Sequence, residues 1–132
     1  MFTVKQIKAA HAQVKSGKDF PAYIQEIKAL GLTRYEFFVA DGHTIYYGDA
    51  DENVSAPPIY NTKAISGNAQ AQALKQIITE HQQGQSDYLT FCQLVADIGV
   101  YKWVVNTQTM LCTYYSLNGE NMMAEPIPQT GY

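Results

Sequence analysis

Histidine is the side chain that changes charge near neutral pH, and two of the three histidines in this sequence stand in matching places. His11 belongs to the run Val4, Ile7, His11, Val14, and His81 to the run Leu74, Ile77, Ile78, His81. Both runs have the three-and-four spacing of an apolar helix face. In a twofold arrangement the two imidazoles could approach each other and share a metal ion, an anion or a proton. The competing reading makes each a half-buried helix residue that donates to a backbone carbonyl. No third ligand stands at a telling spacing, so neither a metal nor a cofactor is assigned. His43, next to Asp41-Gly42, reads as an exposed hairpin residue rather than a base oriented by Asp41.

Tyrosine is the other unusual feature. Tyr35, Tyr46, Tyr47, Tyr60, Tyr88, Tyr101, Tyr114 and Tyr115 lie on β-prone runs or at their margins. A phenol ring offers apolar area with a polar tip, which suits a ligand pocket or an interface, and it suits plain strand packing equally. Tyr46, Tyr47, Tyr114 and Tyr115 join His11 and His81 as candidate ligand or interface residues. Cys92 sits in a helix interior, where no helix dipole lowers its pKa, and Cys112 has no CxxC partner, so both read as small buried apolar residues. Glu36, Asp41, Asp49, Asp51 and Glu52 could form a carboxylate cluster for metal or acid-base work, although a solvated turn rim is the simpler reading. No phosphate loop, nucleophile elbow, metalloprotease or EF-hand pattern occurs.

The elements that must position these residues follow from spacing and punctuation. Thr3-Val4-Lys5-Gln6 is a capping-box pattern that opens a helix stopping at Gly17. A second helix starts at an Asp19 cap, carries Phe20, Tyr23, Ile24, Ile27 and Leu30 inward, and ends at Gly31. Residues 34–40 and 43–47 are two strands around an Asp41-Gly42 two-residue turn. That pairing puts Tyr35, Phe37, Val39 and Tyr46 on one face and Phe38, Ile45 and Tyr47 on the other. Residues 49–58 fit a short edge strand between loops. From about Asn68 a helix runs to Gly84. Asp87 then caps one with Tyr88, Phe91, Leu94, Val95 and Ile98 inward, ending at Gly99. Residues 101–105, 110–115 and 122–124 read as strands, with a turn at Asn118-Gly119.

The second series repeats the first. A shift of 68 positions brings Asp19 onto Asp87, Gly31 onto Gly99, Tyr23 onto Phe91, Tyr35 onto Trp103, Tyr46-Tyr47 onto Tyr114-Tyr115 and Pro58 onto Pro126. Upstream, Lys5-Gln6-Ile7 with His11 matches Lys75-Gln76-Ile77 with His81. Two units under the same capping rules would resemble each other somewhat, but those rules do not dictate the polar and tyrosine matches. The expectation is an α+β fold made of two pseudo-symmetric helix-helix-hairpin halves, 1–66 and 67–132, within one domain of residues 1–132. Its mostly antiparallel sheet would carry about four helices on one face, leaving the other for loops, a ligand or another subunit.

Bulk properties narrow the classes. The 132 residues are 46% hydrophobic and 16% charged, enough apolar material for a core without staples. A net charge of −3, with Lys5, Lys8, Lys15, Lys18 and Lys28 spread around their helices, argues against nucleic-acid binding. No apolar run reaches the roughly 20 residues of a membrane helix. Met1-Phe2-Thr3-Val4-Lys5 has no secretory character, so the cytoplasm is the expected address.

Taken whole, the chain resembles the YbcV-like family of small uncharacterised bacterial proteins, some of them labelled "phage envelope protein". The resemblance rests on segments such as Lys15-Ser16-Gly17-Lys18-Asp19-Phe20-Pro21, Asp41-Gly42-His43-Thr44, Asp87-Tyr88-Leu89-Thr90-Phe91-Cys92 and Lys102-Trp103-Val104-Val105. It implies no catalytic residue, and a mildly acidic domain without a membrane segment does not look like an envelope component. The favoured function is a small binding or regulatory module, with a homodimer as one form it could take. Its tyrosine-rich sheet face or pseudo-twofold cleft would receive a small molecule or a protein. The alternatives are an enzyme working through His11 and His81, which is less favoured, and a phage-derived structural or assembly protein.

Overall fold

The structure, a computed structural model, describes residues 3–12, 19–49, 52–85 and 87–127, without the side chains of Val4 and Phe20. Its elements run α1 (Val4–His11), α2 (Phe20–Ala29), β1 (Arg34–Phe38), β2 (Thr44–Tyr47), β3 (Asn53–Ala56), α3 (Ala71–Gln82), α4 (Tyr88–Asp97), β4 (Val100–Asn106), β5 (Leu111–Ser116) and β6 (Asn121–Pro126). The strands form one antiparallel sheet in the order β3-β2-β1-β4-β5-β6. The fold is α+β, as the element series predicts.

Local chemistry accounts for the helix starts. The Thr3 hydroxyl accepts from the Gln6 N–H at 3.2 Å while the Gln6 side chain accepts from the Thr3 N–H at 2.8 Å, which is the predicted capping box. Asp87 accepts from the Thr90 N–H at 2.7 Å. Asp19 holds the N-cap position of α2 but makes no side-chain capping bond, because its backbone is already in the helical region. Val14 and Gly17, on which the expected end of the first helix rests, lie outside the described residues, as does Asp51. On α4 the inward face differs from the expected one. Phe91, Cys92, Val95 and Ala96 are buried, and Leu94 faces solvent.

The hairpin registers set the two faces of the sheet. Tyr35 lies opposite Tyr46, and Phe37 opposite Thr44, so these share one face; Arg34, Glu36, Phe38, Ile45 and Tyr47 share the other. The first face continues through Trp103 and Val105 on β4 to Cys112 and Tyr114 on β5. All four described helices bury residues against it, in one apolar cluster that includes Ile7, Ile24, Leu74 and Val95. On the opposite face Phe38, Ile45, Tyr47, Lys102, Val104 and Tyr115 are only partly buried.

The β1–β2 connection is longer than the predicted two-residue Asp41-Gly42 turn. Phe38 N–H donates to His43 O at 3.0 Å and Gly42 N–H to Phe38 O at 2.8 Å, so Val39, Ala40, Asp41 and Gly42 all belong to the loop. The cause is long-range: Val39 is fully buried and its N–H donates to Tyr101 O at 2.9 Å, which ties it to β4 rather than to β2. Gly42, at φ +77°, supplies the left-handed residue that closes the loop.

In the central pair β1 and β4 run antiparallel with Tyr35 opposite Val105, Glu36 opposite Val104 and Phe37 opposite Trp103. Thr107 N–H donates to Thr33 O at 2.9 Å beyond one end of this seam. The long connection from β3 to α3 is fastened by Lys63 N–H to Ala40 O at 2.7 Å, Ser66 N–H to Ala96 O at 3.0 Å and Gln70 N–H to Ile98 O at 2.9 Å. Gly99, at φ +95°, lets this connection lie close, since a Cβ there would stand 2.7 Å from Ala69 Cα. Among the described residues no helix is long and apolar enough to cross a membrane.

Candidate functional site

Between the helices and the buried sheet face lies a cavity of about 240 Å³. Its floor is aromatic for reasons visible in the strand alternation. Tyr35 and Phe37 are alternate residues of β1, Tyr46 stands across from Tyr35, and Trp103 stands across from Phe37 with the two rings stacked 4.3 Å apart. The helices add Tyr23 and Tyr88. His11, at the end of α1, meets both edge-on, at 5.2 Å from Tyr23 and 5.3 Å from Tyr88. Lys8, one turn before His11, lines the cavity with an exposed side chain.

The phenols and the imidazole of the wall are uncharged. The Tyr23 and Tyr46 side chains are hydrogen-bonded to each other. Burial pushes the phenols of Tyr23, Tyr35 and Tyr88 well above their ordinary range and pushes the His11 imidazole down. At neutral pH the cavity is therefore an aromatic box with a neutral imidazole, and Lys8 supplies the one cation among its lining residues.

A second, smaller cavity of about 60 Å³ lies on the other side of Trp103 and Tyr88, which line both. His81 stacks on Phe91 at 4.3 Å, Phe91 meets Trp103 edge-on at 5.5 Å, and Trp103 lies 5.9 Å from Tyr114. Glu125 on β6 completes the wall and accepts from Gln82 Nε2 at 3.1 Å. Burial raises the Glu125 carboxyl above its ordinary pKa, and it pushes the Cys112 thiol up to about 12.

The six residues singled out in the sequence thus fall in three places. His11 and Tyr46 line the larger cavity, and His81 and Tyr114 line the smaller one. The two histidines do not share a cavity. Tyr47 and Tyr115 lie on the opposite sheet face, Tyr47 with the Arg34 guanidinium 3.9 Å over its ring and Tyr115 with Lys102 Nζ at 5.7 Å. Trp103 and Tyr88, the shared walls, were not singled out as site residues, although Trp103 is the only tryptophan of the chain.

The remaining candidates resolve locally. His43 is not a free hairpin residue: its Nδ1 lies 2.6 Å from Asp41 Oδ1 and its ring stacks on Phe38 at 4.3 Å. Glu36 is paired with Lys102 at 3.1 Å and Arg34 at 3.8 Å. Cys92 is buried, with its thiol pushed up to about 11 by desolvation, so no thiolate is available for attack. Among the described residues no three His, Cys, Asp or Glu side chains come together as a metal set.

Residues 8–126, which hold every lining residue of both cavities, match one family model, described as protein of unknown function (DUF1398). The chain belongs to this family. The matched span takes in all six described strands and three of the four described helices. No curated protein matches the chain.

Proposed function

We propose that the protein is a small-molecule binding module whose ligand, a flat aromatic acid of one or two rings, occupies the cavity beside His11. The observation that carries this reading is a cavity of about 240 Å³ walled by Tyr23, Tyr35, Phe37, Tyr46, Tyr88 and Trp103, with Lys8 as its cation. Aromatic walls with a few convergent polar groups are the usual composition of a small-molecule site. The volume falls just below the roughly 300–1,000 Å³ of sites for drug-sized ligands, which favours a smaller occupant. The rings would stack on the body of the acid, neutral His11 would donate to it, and Lys8 would meet the carboxylate. Every one of these residues comes from one chain.

The same reading takes the chain as two pseudo-symmetric halves. In its support, Glu36 is paired with Val104, the residue 68 positions later, and the pairs Tyr35–Val105 and Phe37–Trp103 exchange under that shift. The bonds Val39 N–H to Tyr101 O and Thr107 N–H to Thr33 O, both 2.9 Å, exchange likewise. Gly42 and Met110, 68 positions apart, both have positive φ. On the sequence resemblance alone we take the protein to be one of the YbcV-like bacterial proteins acting in the cytoplasm, and the phage label carries no weight.

The test is calorimetric titration with 4-hydroxybenzoate and indole-3-carboxylate. At least one acid gives saturable heat, Lys8→Gln weakens it several-fold, as expected for an exposed charge, and Ala56→Trp, which fills the cavity from the edge strand, abolishes it. Absence of saturable heat with both acids, or heat indifferent to Ala56→Trp, would falsify the reading.

A further inference from the structure

The two cavities correspond position by position. Tyr23, Tyr35, Thr44 and Tyr46 line the first, and Phe91, Trp103, Cys112 and Tyr114, each 68 positions later, line the second. His11 and His81 each pack on the first of these rings, His11 edge-on to Tyr23 and His81 stacked on Phe91. The charges do not correspond. Pro57 lines the larger cavity, and the residue 68 positions later, in the smaller one, is Glu125. Lys8 lines the larger cavity, and the residue 70 positions later, by the shift that relates the histidines, is Ile78. One cavity has a cation and no carboxylate among its lining residues. The other has a carboxylate and no lysine or arginine.

We propose that the smaller cavity binds a methylated ammonium group, seated against the rings of Phe91, Trp103 and Tyr114 and neutralised by the Glu125 carboxylate. Phe91, Trp103 and Tyr114 all line this space and touch one another at its wall, and an organic cation is attracted to the π-systems of such rings. The space, about 60 Å³, holds a group of a few heavy atoms rather than a whole two-ring molecule. A bare ammonium or metal ion would give up most of its hydration shell for a lining that is largely aromatic and aliphatic, whereas a methylated ammonium is weakly hydrated and gives up little. Glu125 is suited to the role because it is half-buried and, among the described residues, Gln82 Nε2 bonds to only one of its carboxylate oxygens. The other titratable groups on the cavity are His81 on α3, Tyr88 on α4, and Cys112 and Tyr114 on β5. Burial keeps the two phenols and the thiol protonated. This site stands apart from the aromatic-acid reading, since it uses the other cavity and the opposite charge.

The test follows the single tryptophan, whose one indole N–H resonance reports on this wall. Tetramethylammonium chloride, titrated against sodium chloride at equal ionic strength, shifts that resonance saturably, and tert-butanol, a neutral molecule of nearly the same shape, does not. Glu125→Gln, which keeps shape and removes charge, lowers the affinity at least tenfold, and the wild-type affinity rises with pH as Glu125 ionises. No saturable shift, an equal response to tert-butanol, or an unchanged affinity in a folded Glu125→Gln overturns the proposal. Should that variant not fold, the comparison of the two probes on the wild type decides by itself. Neither result touches the heats of aromatic-acid binding, so failure of one reading is distinguishable from failure of the other.

Discussion

His11 and His81 occupy the same place on two helices and meet different surroundings. The cost of burying His11 lowers its pKa from the usual 6.5, and the sign of the stability effect follows. The unfolded chain takes up the His11 proton as pH falls through 6.5, and the folded chain resists it until lower pH, so unfolding binds a proton in between. Stability is fully present above pH 6.5 and declines as the solution is acidified below it. Urea midpoints at pH 7.5 and 5.5 should differ in that direction, and His11→Gln should narrow the difference; a midpoint that rises on acidification would contradict the assignment. At this scale the sequence was half legible. Helical spacing put His11 and His81 on inward faces, and strand alternation put Tyr46 with Tyr35. Trp103 and Tyr88 escaped because their shared wall joins β4 to the first turn of α4, and no spacing within either element encodes that approach.

At the scale of elements, the seam between β1 and β4 is reinforced by Thr107, which is fully buried. Its hydroxyl donates to Leu32 O at 2.6 Å while its N–H donates to Thr33 O at 2.9 Å. Thr107→Val keeps the shape and leaves the Leu32 carbonyl without that donor, so it should lower stability by about 1–3 kcal/mol, the cost of a stranded buried acceptor. Equilibrium urea unfolding measures this, and a variant as stable as the wild type would show that the hydroxyl contributes nothing. The elements themselves were the most legible part of the chain, because caps, glycine stops and alternating strands are local. The β1–β2 loop was misjudged for the opposite reason: Asp41-Gly42 is a strong local turn signal, but Val39 answers to Tyr101, far along the chain. Leu94 likewise has helical spacing, yet the sheet lies nearer Cys92 and Ala96.

For the molecule as a whole, the core runs through the seam without interruption, from Ile24 and Phe37 to Trp103 and Val95 in one cluster. Neither half can expose its sheet edge without opening that cluster. Unfolding followed by tryptophan emission, which reports on the second half, should therefore coincide with unfolding followed by far-ultraviolet circular dichroism, which reports on all helices. Two separated transitions would mean that the halves behave as independent units. The sheet order β3-β2-β1-β4-β5-β6 also governs how the chain reaches this state. Each outer hairpin closes over a few residues, whereas Glu36 must find Val104 across about half of the chain, and such distant closures are slow. Until the seam forms, β1 and β4 are bare strand edges, and β4 of another molecule fits β1 as well as its own does. Refolding at high concentration should thus divert chains into strand-exchanged species, and refolding at lower concentration should suppress them.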